Sequence, residues 1–255
     1  MTADCKKVAL ITGASKRIGR AIALVMARKG WDIAVHYRHS ESEAKATVRD
    51  IEALGRCAKA FRCDLADENS AKALLPNAIA ALGQVSCVVN NASLFEYDDA
   101  ANFSVSLLDR HMHANLAAPV VLARALHDAT ADGSQSVVIN LLDQKIFNLN
   151  PDFLSYTLSK AALHSATMML AQALAPRVRV VGIAPGITLQ SGNQTAEGFA
   201  KAHKVTPLGR SSTPDDIASA VCFIAESPAI TGVTLPVDGG QHLLPLQRDV
   251  MFIAK

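Results

Sequence analysis

The sequence has little net charge and no long apolar run. Its 25 Lys and Arg residues nearly balance 23 Asp and Glu residues, which gives a formal net charge of +2 at pH 7. The two signs are interleaved along the chain, so neither nucleic acid nor a membrane surface is an expected partner. No apolar stretch approaches the length of a bilayer span, and the polar residues 1–7 lead into the first apolar run with no cleavage signal. We therefore expect a cytoplasmic protein.

Paired cysteines and grouped histidines are also lacking. The five cysteines are scattered and do not show the CxxC spacing of zinc and redox sites, so we interpret them as reduced thiols. They are Cys5, Cys57, Cys63, Cys87 and Cys222. His111 and His113 would face different sides of a helix, and no carboxylate partner completes a ligand set. The sequence therefore predicts no metal site.

Linkers, internal repeats and low-complexity tracts are absent as well. Of the 255 residues, 50% are hydrophobic and 19% are charged, a balance typical of a compact globular protein. A chain of this length can bury a large core without disulfides or metals. We expect one domain that spans residues 1–255.

Short β-branched runs alternate with longer, Ala-rich amphipathic segments. Strands are predicted at 8–12, 32–36, 58–62, 85–90, 136–142, 179–183 and 233–237. Helices are predicted at 17–29, 42–54, 68–82, 106–127, 153–175 and 214–226. This alternation is typical of βαβ units. The expected fold class is α/β, a doubly wound, mostly parallel seven-stranded sheet with helices on both faces (Rossmann-type).

The polar segment 187–204, which contains Ser191-Gly192-Asn193, fits none of these elements. Ligands of doubly wound sheets bind beyond the carboxyl ends of the strands, so this segment is placed to act as a lid over a substrate. An ordinary surface loop is the alternative.

A glycine-containing run links the first strand to the first helix. It reads Thr12-Gly13-Ala14-Ser15-Lys16-Arg17-Ile18-Gly19. Gly13 allows a tight turn, and Gly19 allows the helix to approach the sheet closely. The exposed N–H groups at the start of the helix favour a pyrophosphate. The run therefore predicts a dinucleotide-binding site.

This run resembles the TGxxxGxG fingerprint of the short-chain dehydrogenase/reductase family, with Arg17 in place of the middle glycine. The resemblance covers essentially the whole chain, because further landmarks follow in the family's order. They are Asp64-Leu65, Asn90-Asn91-Ala92, Asn115, Tyr156-x-x-x-Lys160, Pro185-Gly186 and Val237-Asp238-Gly239-Gly240.

The family resemblance implies a nicotinamide dinucleotide cofactor. Lys160 would hold the nicotinamide ribose, and Asn115 would orient a proton-relay water. The implied cofactor contacts are Gly13, Ser15, Lys16, Arg17, Ile18, Gly19, Tyr37, Arg38, His39, Ser40, Asp64, Leu65, Asn91, Ala92, Ser93, Lys160, Pro185, Gly186 and Thr188.

The end of the second predicted strand bears on the choice between NAD and NADP. NAD-specific folds place an acidic residue there to hold the ribose hydroxyls. This chain instead reads His36-Tyr37-Arg38-His39-Ser40. Arg38 and Ser40, with Lys16 and His39, are suited to bind an extra phosphate through charge-assisted hydrogen bonds. NADPH (oxidised form NADP+) is therefore the expected cofactor. The alternative is that Arg38 is a solvated surface residue.

Tyr156 and Lys160 are placed on one face of a predicted helix, one turn apart. A tyrosine ordinarily titrates near pH ~10. A neighbouring ammonium and a nearby nicotinamide charge would bring its proton exchange nearer neutrality. The same spacing also occurs by accident on solvated helix faces. Here it lies between the run Asn140-Leu141-Leu142-Asp143 and the run 180–186, as in the family.

Asp143 stands where most of the family has a serine whose hydroxyl steadies a substrate carbonyl or alcohol. A carboxylate only accepts hydrogen bonds and would repel a developing alkoxide, so Asp143 is better suited to a nitrogen heterocycle. With Arg17, and with Ser93-Leu94-Phe95 after Asn91-Ala92, the chain resembles the pteridine reductase branch of the family.

The pteridine reductase resemblance implies a role for each matching residue. Asp143 and Tyr156 would deliver a proton, Arg17 and Ser93 would contact the pterin and the cofactor phosphates, and Phe95 would stack the pterin against the nicotinamide. For Phe95 a core position is the alternative. The implied catalytic residues are Asp143, Tyr156, Lys160 and Asn115, and the implied substrate contacts are Arg17, Ser93, Phe95, Asp143 and Tyr156.

The expected reaction is hydride transfer from NADPH to an electron-poor C=N carbon of a dihydropterin, dihydrofolate or related small molecule. Two alternatives stay open. One is a reductase of the same family that acts on a carbonyl substrate, such as a 3-oxoacyl thioester or a sugar ketone. The other is a catalytically idle NADPH-binding protein.

The tail 241–255 is too apolar to remain fully exposed to solvent. Its apolar residues include Leu243, Leu244, Met251, Phe252 and Ile253. Because members of the family commonly form tetramers, the resemblance implies a homotetramer in which the tail packs on, or reaches toward, a neighbouring subunit.

Overall fold

The computed structural model describes residues 7–190 and 195–253. The strands in this part of the chain are β1 Val8–Ile11, β2 Asp32–Tyr37, β3 Ala58–Arg62, β4 Val85–Asn90, β5 Ser136–Leu141, β6 Val178–Pro185 and β7 Thr234–Val237. They form one sheet in the order β3-β2-β1-β4-β5-β6-β7, and each neighbouring pair is parallel. The predicted fold class is confirmed, and the sheet is wholly parallel.

Helices cover both faces of this sheet. They are α1 Arg17–Arg28, α2 Glu41–Ala53, α3 Glu68–Leu82, α4 Val105–Met112, α5 Ala118–Ala129, α6 Leu154–Ala173, α7 Ala196–Lys204, α8 Pro214–Ala225 and α9 Val250–Ile253. A π-helical turn, His113–Ala117, joins α4 to α5, and 3-10 turns lie at Gln144–Phe147 and Gln241–Leu243. The single helix predicted at 106–127 is therefore wrong in its middle.

The strands are apolar because both of their faces are buried. In β1, Ala9 and Ile11 pack with α1, α2 and α8, whereas Val8 and Leu10 pack with α3, α5 and α6. Alternate side chains of one strand thus reach two separate cores, as expected for a parallel sheet between two helix layers. This arrangement leaves the loops at the carboxyl ends of the strands free to form a site.

Three of the sequence predictions extend beyond the described residues. Cys5, the segment Ser191-Gly192-Asn193 and the last two residues of the tail lie outside them. Within the described part of the predicted lid, residues 196–204 form α7, whose first turn is capped by the Thr195 hydroxyl at Gly198 N. The lid itself stays a prediction.

Other structural findings concern cysteines, metals and membranes. The described cysteines, Cys57, Cys63, Cys87 and Cys222, are free thiols. Within residues 7–190 and 195–253, no group of three or more His, Cys, Asp or Glu side chains is arranged to hold a metal ion. Over those same ranges, every helix lacks the combination of length and hydrophobicity that a membrane span requires.

Candidate active site

The loop after β1 is held tightly where the strand order reverses between β1 and β4. Gly13 has a φ of 64°, a left-handed conformation that favours glycine. A Cβ atom at Gly19 would lie 2.3 Å from the Gly13 carbonyl oxygen, so glycine is required for α1 to approach this loop. Asn91, which follows β4, donates its side-chain N–H to the Thr12 carbonyl at 2.8 Å. The loop is thus fixed from two strands.

His36 also fixes this loop, a role that the sequence analysis did not predict. It lies buried in β2, where its Nδ1 accepts the Gly13 N–H at 3.0 Å and its Nε2 lies 3.1 Å from the Cys63 carbonyl. The two contacts require the neutral ring with hydrogen on Nε2. Burial lowers the pKa of His36 from 6.5 to about 4. His36 therefore links the ends of three strands as a neutral residue.

Arg17 adopts an unusual backbone conformation at the start of α1. It occupies the position of the fingerprint's middle glycine, and its φ of 55° lies in the left-handed region that glycine adopts readily. Such a conformation costs on the order of 1–3 kcal/mol in a residue with a side chain. Its guanidinium donates to the Gln190 carbonyl at 3.0 Å. This backbone conformation places the long cationic side chain of Arg17 where two cavities meet.

The larger cavity, of about 680 Å³, runs along the start of α1. The N-cap residue of α1, Lys16, makes no side-chain capping hydrogen bond, and the first turn of α1 contains no acidic residue. N–H groups and basic side chains of this kind suit an anion. Fifteen of the predicted cofactor contacts line this cavity: Gly13, Ser15, Lys16, Arg17, Ile18, Gly19, Tyr37, Arg38, His39, Ser40, Asp64, Leu65, Asn91, Ala92 and Ser93.

Arg38 stands at the β2 end of the larger cavity, together with His39 and Ser40. Its Nε lies 3.2 Å from Asp64 Oδ2, and about half of each side chain is exposed. An exposed ion pair of this kind contributes little to stability, so the guanidinium can exchange partners at small cost. Arg38 is exposed, as the alternative proposed, yet it lines the cavity where a phosphate of the dinucleotide would bind.

The smaller cavity, of about 510 Å³, adjoins the larger one, and Arg17, Ile18, Asn91 and Ser93 line both. It holds the other predicted cofactor contacts, Lys160, Pro185, Gly186 and Thr188. It also holds the predicted substrate contacts Phe95, Asp143 and Tyr156. The two groups of predicted residues therefore meet in one continuous site.

Tyr156 and Asp143 form a buried hydrogen-bonded pair. The Tyr156 hydroxyl donates to Asp143 Oδ2 at 2.8 Å, and Asp143 Oδ1 accepts the Lys145 N–H at 2.9 Å. Burial is the largest cause that raises the pKa of Asp143. Burial, and then the negative charge of Asp143, raise the pKa of Tyr156 well above 10. The side chains around Tyr156 thus raise this pKa, with burial as the largest cause, and the expected effect of a nicotinamide charge stays a prediction.

Lys160 lies beneath this pair. Its Nζ donates to the Leu141 carbonyl at 2.7 Å and lies 5.8 Å from the centre of the Tyr156 ring. Burial lowers the pKa of Lys160 from 10.5 to about 8. The ammonium is therefore anchored to the end of β5 within the smaller cavity, where it remains mostly protonated near pH 7.

Asn115 lies in the π-helical turn and lines neither cavity. Its side-chain oxygen accepts the Leu94 N–H at 2.7 Å, and its amide nitrogen donates to the Leu94 carbonyl and to the Ser159 hydroxyl, each at 3.0 Å. The side chain thus fixes the segment that carries Ser93 and Phe95. The role of Asn115 in orienting a water stays a prediction.

Phe95 is not a core residue, because 40% of it is exposed. Its ring stacks on Phe153 with centroids 4.4 Å apart and meets the Tyr156 ring edge-on at 4.7 Å. Phe153, like Arg17, has a positive φ, of 55°. Phe95 thus presents part of its ring beside Tyr156, a position suited to a flat ring.

The C-terminal segment forms part of the cavity wall, which the sequence did not predict in this form. Asp249, Val250 and Met251 line the smaller cavity of their own chain. Asp249 Oδ2 lies 3.0 Å from the buried Lys145 Nζ. The described part of the predicted tail therefore packs on its own subunit, and any reach to a neighbouring subunit stays a prediction.

Comparisons with known proteins give one consistent family. The family model described as Enoyl-(Acyl carrier protein) reductase matches residues 13–242. The crystal structure of FolM Alternative dihydrofolate reductase 1 from Brucella canis, complexed with NADP, superposes with a TM-score of 0.91 at 39% identity, covering 98% of each chain. L-rhamnose 1-dehydrogenase (NAD(P)(+)) of a Sphingomonas species is 32% identical, covering 93% of this chain and 96% of that protein. The 3-oxoacyl-(acyl-carrier-protein) reductase FabG of Staphylococcus aureus is 31% identical, covering 93% and 98%.

Proposed function

This chain belongs to the short-chain dehydrogenase/reductase family of NAD(P)-dependent oxidoreductases, and on that premise we propose that it is an NADPH-dependent reductase of dihydropterin or dihydrofolate-like rings. The observation that carries the proposal is the 2.8 Å hydrogen bond from the Tyr156 hydroxyl to Asp143. This hydrogen bond lies in the smaller cavity, which adjoins the larger one. A carboxyl group beside the proton donor favours a nitrogen-containing ring over a carbonyl.

The residues of the larger cavity fit NADPH. The start of α1 offers uncapped N–H groups for the pyrophosphate, and Lys16, Arg38 and Ser40 surround the place suited to an additional phosphate. Lys160, which lines the smaller cavity, would hold the nicotinamide ribose. When bound, the dinucleotide would supply the hydride, while the protein would supply orientation and a proton.

The Asp143–Tyr156 pair is the proposed proton source. Because burial raises the pKa of both groups, Tyr156 keeps its proton at neutral pH. A ring nitrogen becomes strongly basic as a hydride reaches the adjacent carbon, and it can then take the proton from a weak acid held close by. Asp143 orients the Tyr156 hydroxyl, and the Lys145 N–H in turn orients Asp143.

The shape of the smaller cavity also supports a flat substrate. Its volume of about 510 Å³ falls within the usual range for small-molecule sites. Phe95 offers a partly exposed ring beside Tyr156, and Ser93 and Arg17 offer polar contacts at the boundary with the larger cavity. The likeness to a dihydrofolate reductase that binds NADP adds support, since that protein is 39% identical over nearly the whole chain.

The rhamnose dehydrogenase and FabG relatives make a carbonyl substrate the second candidate. We would therefore follow NADPH and NADH consumption at 340 nm with 7,8-dihydrobiopterin, dihydrofolate, a 3-oxoacyl thioester, an enoyl thioester and a sugar ketone. The expected result is turnover with the two nitrogen heterocycles and preference for NADPH. Turnover confined to the thioesters or the ketone would overturn the proposal in favour of the second candidate, and turnover with none would favour an idle binding protein.

A further inference from the structure

The C-terminal segment brings a carboxylate into the wall of the smaller cavity. Asp249 lines this cavity together with Val250 and Met251. It belongs to none of the family landmarks and is not among the predicted substrate contacts. Its side chain is 16% exposed, so it remains accessible after the segment has packed. A carboxylate that is largely removed from water is costly unless it is paired or binds a ligand.

The partners of Asp249 leave its carboxylate able to accept further hydrogen bonds. Its Oδ2 accepts from the Lys145 ammonium at 3.0 Å, and its Oδ1 accepts the Met251 N–H at 3.1 Å. A carboxylate has about four acceptor positions, so each oxygen can accept one more hydrogen bond. The Lys145 ammonium also donates to the Asp152 carbonyl, and only 3% of the Lys145 side chain is exposed. The carboxylate is therefore the more accessible member of this ion pair.

Lys145 also fixes the position of Asp249 relative to the proposed proton source. Its backbone N–H donates to Asp143 Oδ1 at 2.9 Å, while its ammonium contacts Asp249. One lysine side chain thus spans the distance from Asp143 to Asp249. The negative charge of Asp249 acts across this distance, because it contributes to the raised pKa of both Asp143 and Tyr156. Asp249 is therefore placed beside the reacting bond of a substrate, and not at that bond.

We propose that Asp249 is a specificity-determining residue whose carboxylate accepts a hydrogen bond from a hydroxyl group on the substituent of the substrate ring and disfavours a negatively charged substituent. The inference rests on the proposed function and deepens it. In a 7,8-dihydropterin, this substituent is attached to the carbon that would receive the hydride, so it lies beside the reacting bond. Val250 and Met251 offer apolar contacts for its carbon atoms.

The cations of the smaller cavity do not offset this preference. Arg17 lines both cavities, where cofactor phosphates would bind, and Lys160 would hold the nicotinamide ribose. Both positive charges are thus assigned to the dinucleotide. At the C-terminal wall, Lys145 is enclosed and Asp249 is the accessible charge. An anionic substituent at this wall would therefore meet a like charge.

Three substrates that differ in this substituent test the proposal at saturating NADPH. It carries hydroxyl groups in 7,8-dihydrobiopterin, is a methyl group in 6,7-dimethyl-7,8-dihydropterin, and bears carboxylates in dihydrofolate. We expect the wild type to have its highest kcat/KM with dihydrobiopterin. In Asp249→Asn, the ratio of the dihydrobiopterin value to the dimethyl value should fall about tenfold, because a charge-assisted hydrogen bond is lost. The ratio to the dihydrofolate value should fall at least as much, because the repulsion is also removed.

Two further variants complete the experiment. Asp249→Glu keeps the charge and should retain ratios closer to those of the wild type than Asp249→Asn does. Asp109→Asn is the matched control, because Asp109 is exposed on α4 and lines neither cavity. It should leave both ratios unchanged. The Kd for NADPH should be unchanged in all three variants, because Asp249 does not line the larger cavity either.

The outcomes are distinct. If kcat/KM falls equally for the three substrates in Asp249→Asn, the residue has only a structural role and the inference is overturned. A ratio of dihydrobiopterin to the dimethyl compound that changes less than twofold overturns it as well. In both cases the wild type still reduces dihydropterins, so the proposed function stands. A wild-type protein that consumes no NADPH with any of the three substrates overturns the proposed function itself.

Discussion

At the residue scale, the proposed chemistry depends on an acid that is kept weak. Asp143 and Tyr156 share one hydrogen bond in a site where burial disfavours charge on either group. The nearby Asp249 carboxylate raises both pKa values further, whereas the Lys145 ammonium lowers that of Asp143. Together these effects keep the Tyr156 hydroxyl protonated at neutral pH. In the proposed reaction, this proton passes to the substrate ring nitrogen when hydride transfer makes that nitrogen basic.

The first prediction concerns this pair. Tyr156→Phe removes the donor, and Asp143→Ser removes the carboxyl group that orients it, so we expect kcat for dihydropterin reduction to fall about 100-fold or more in each variant. Tyr97→Phe is the matched control, because Tyr97 is exposed and bonds only to Asp99 among the described side chains. Single-turnover rates with saturating NADPH would measure the effect. A wild-type rate in either variant would exclude the proton role.

The second prediction concerns the choice of dinucleotide. Arg38→Glu places a carboxylate where we expect an additional phosphate, so the preference for NADPH over NADH should fall by about 10-fold to 100-fold. Arg49→Glu makes the same charge change on the exposed side of α2, outside both cavities. The ratio of kcat/KM values for the two dinucleotides is the measurement. Equal ratios in the two variants would show that Arg38 is a solvated surface residue that does not determine the choice of dinucleotide.

The residues that sequence reasoning found differ physically from those it missed. Gly13, Asp143, Tyr156 and Lys160 belong to short runs whose spacing is fixed by one turn or one helix face, so their pattern is visible locally. His36 reaches Gly13 and Cys63 only after three strands have assembled. No local periodicity encodes such a contact, although a histidine in an otherwise apolar strand is a weak signal of one.

At the element scale, the third prediction is that His36, which holds the loop after β1, makes the stability of the fold sensitive to acid. Its folded-state pKa of about 4 lies below the ordinary 6.5, so the unfolded chain binds more protons between these values. The stability that depends on the neutral ring is complete above pH 6.5 and is lost as pH falls toward 4. Between pH 6.5 and 5 this residue should cost about 2 kcal/mol of the free energy of unfolding.

His36→Gln provides the comparison, because its amide can accept from Gly13 and donate to Cys63 without titrating. Urea unfolding at pH 7.5 and pH 5.0 should show a larger loss of stability in the wild type than in the variant. Parallel losses would mean that His36 does not carry the acid sensitivity.

Element boundaries were harder to predict where an insertion or a short helix occurs. The predicted helix 106–127 keeps its apolar periodicity on both sides of the π-helical turn His113–Ala117, so the one-residue expansion leaves little trace in the sequence. Helix α7 has only nine residues within a polar segment, too few for a clear periodic signal. Its Thr195 cap was the available indication.

The fourth prediction concerns the C-terminal segment as an element of the cavity wall. Arg248 donates three hydrogen bonds to the buried Asp152 carboxylate, and the Asp249 N–H donates a further one at 2.7 Å. Arg248→Ala should loosen residues 246–253, accelerate hydrogen exchange of their amides and raise the KM for dihydropterin about tenfold. The Kd for NADPH should not change, because this segment does not line the larger cavity.

Arg124→Ala is the control for that experiment, since Arg124 lies on the exposed side of α5 and pairs only with Asp128 among the described groups. Unchanged exchange in residues 246–253 of Arg248→Ala would show that the ion pair with Asp152 does not anchor the segment.

At the scale of the whole molecule, the fold class followed from alternating strand and helix patterns because both faces of most strands are buried. An apolar run such as Val85–Asn90 indicates a strand that is buried on both faces, in the centre of a sheet between two helix layers. The sheet order places β1 next to β4, and this reversal creates the crevice at their carboxyl ends. The sequence pattern did not indicate that the chain after β7 returns to the smaller cavity and forms part of its wall.

The fifth prediction concerns assembly, for which we propose a homotetramer. The edge strand β7 carries the exposed Leu235, and the exposed faces of α6 and α8 carry Met169 and Phe223, with 69% and 57% of these residues exposed. Large apolar side chains and an unpaired sheet edge are favourable surfaces for contacts between subunits. Size-exclusion chromatography with light scattering at micromolar concentration should give four times the mass of the chain, and Met169→Glu or Phe223→Glu should reduce it. A wild-type monomer would contradict the proposal and would require that these apolar faces remain in water.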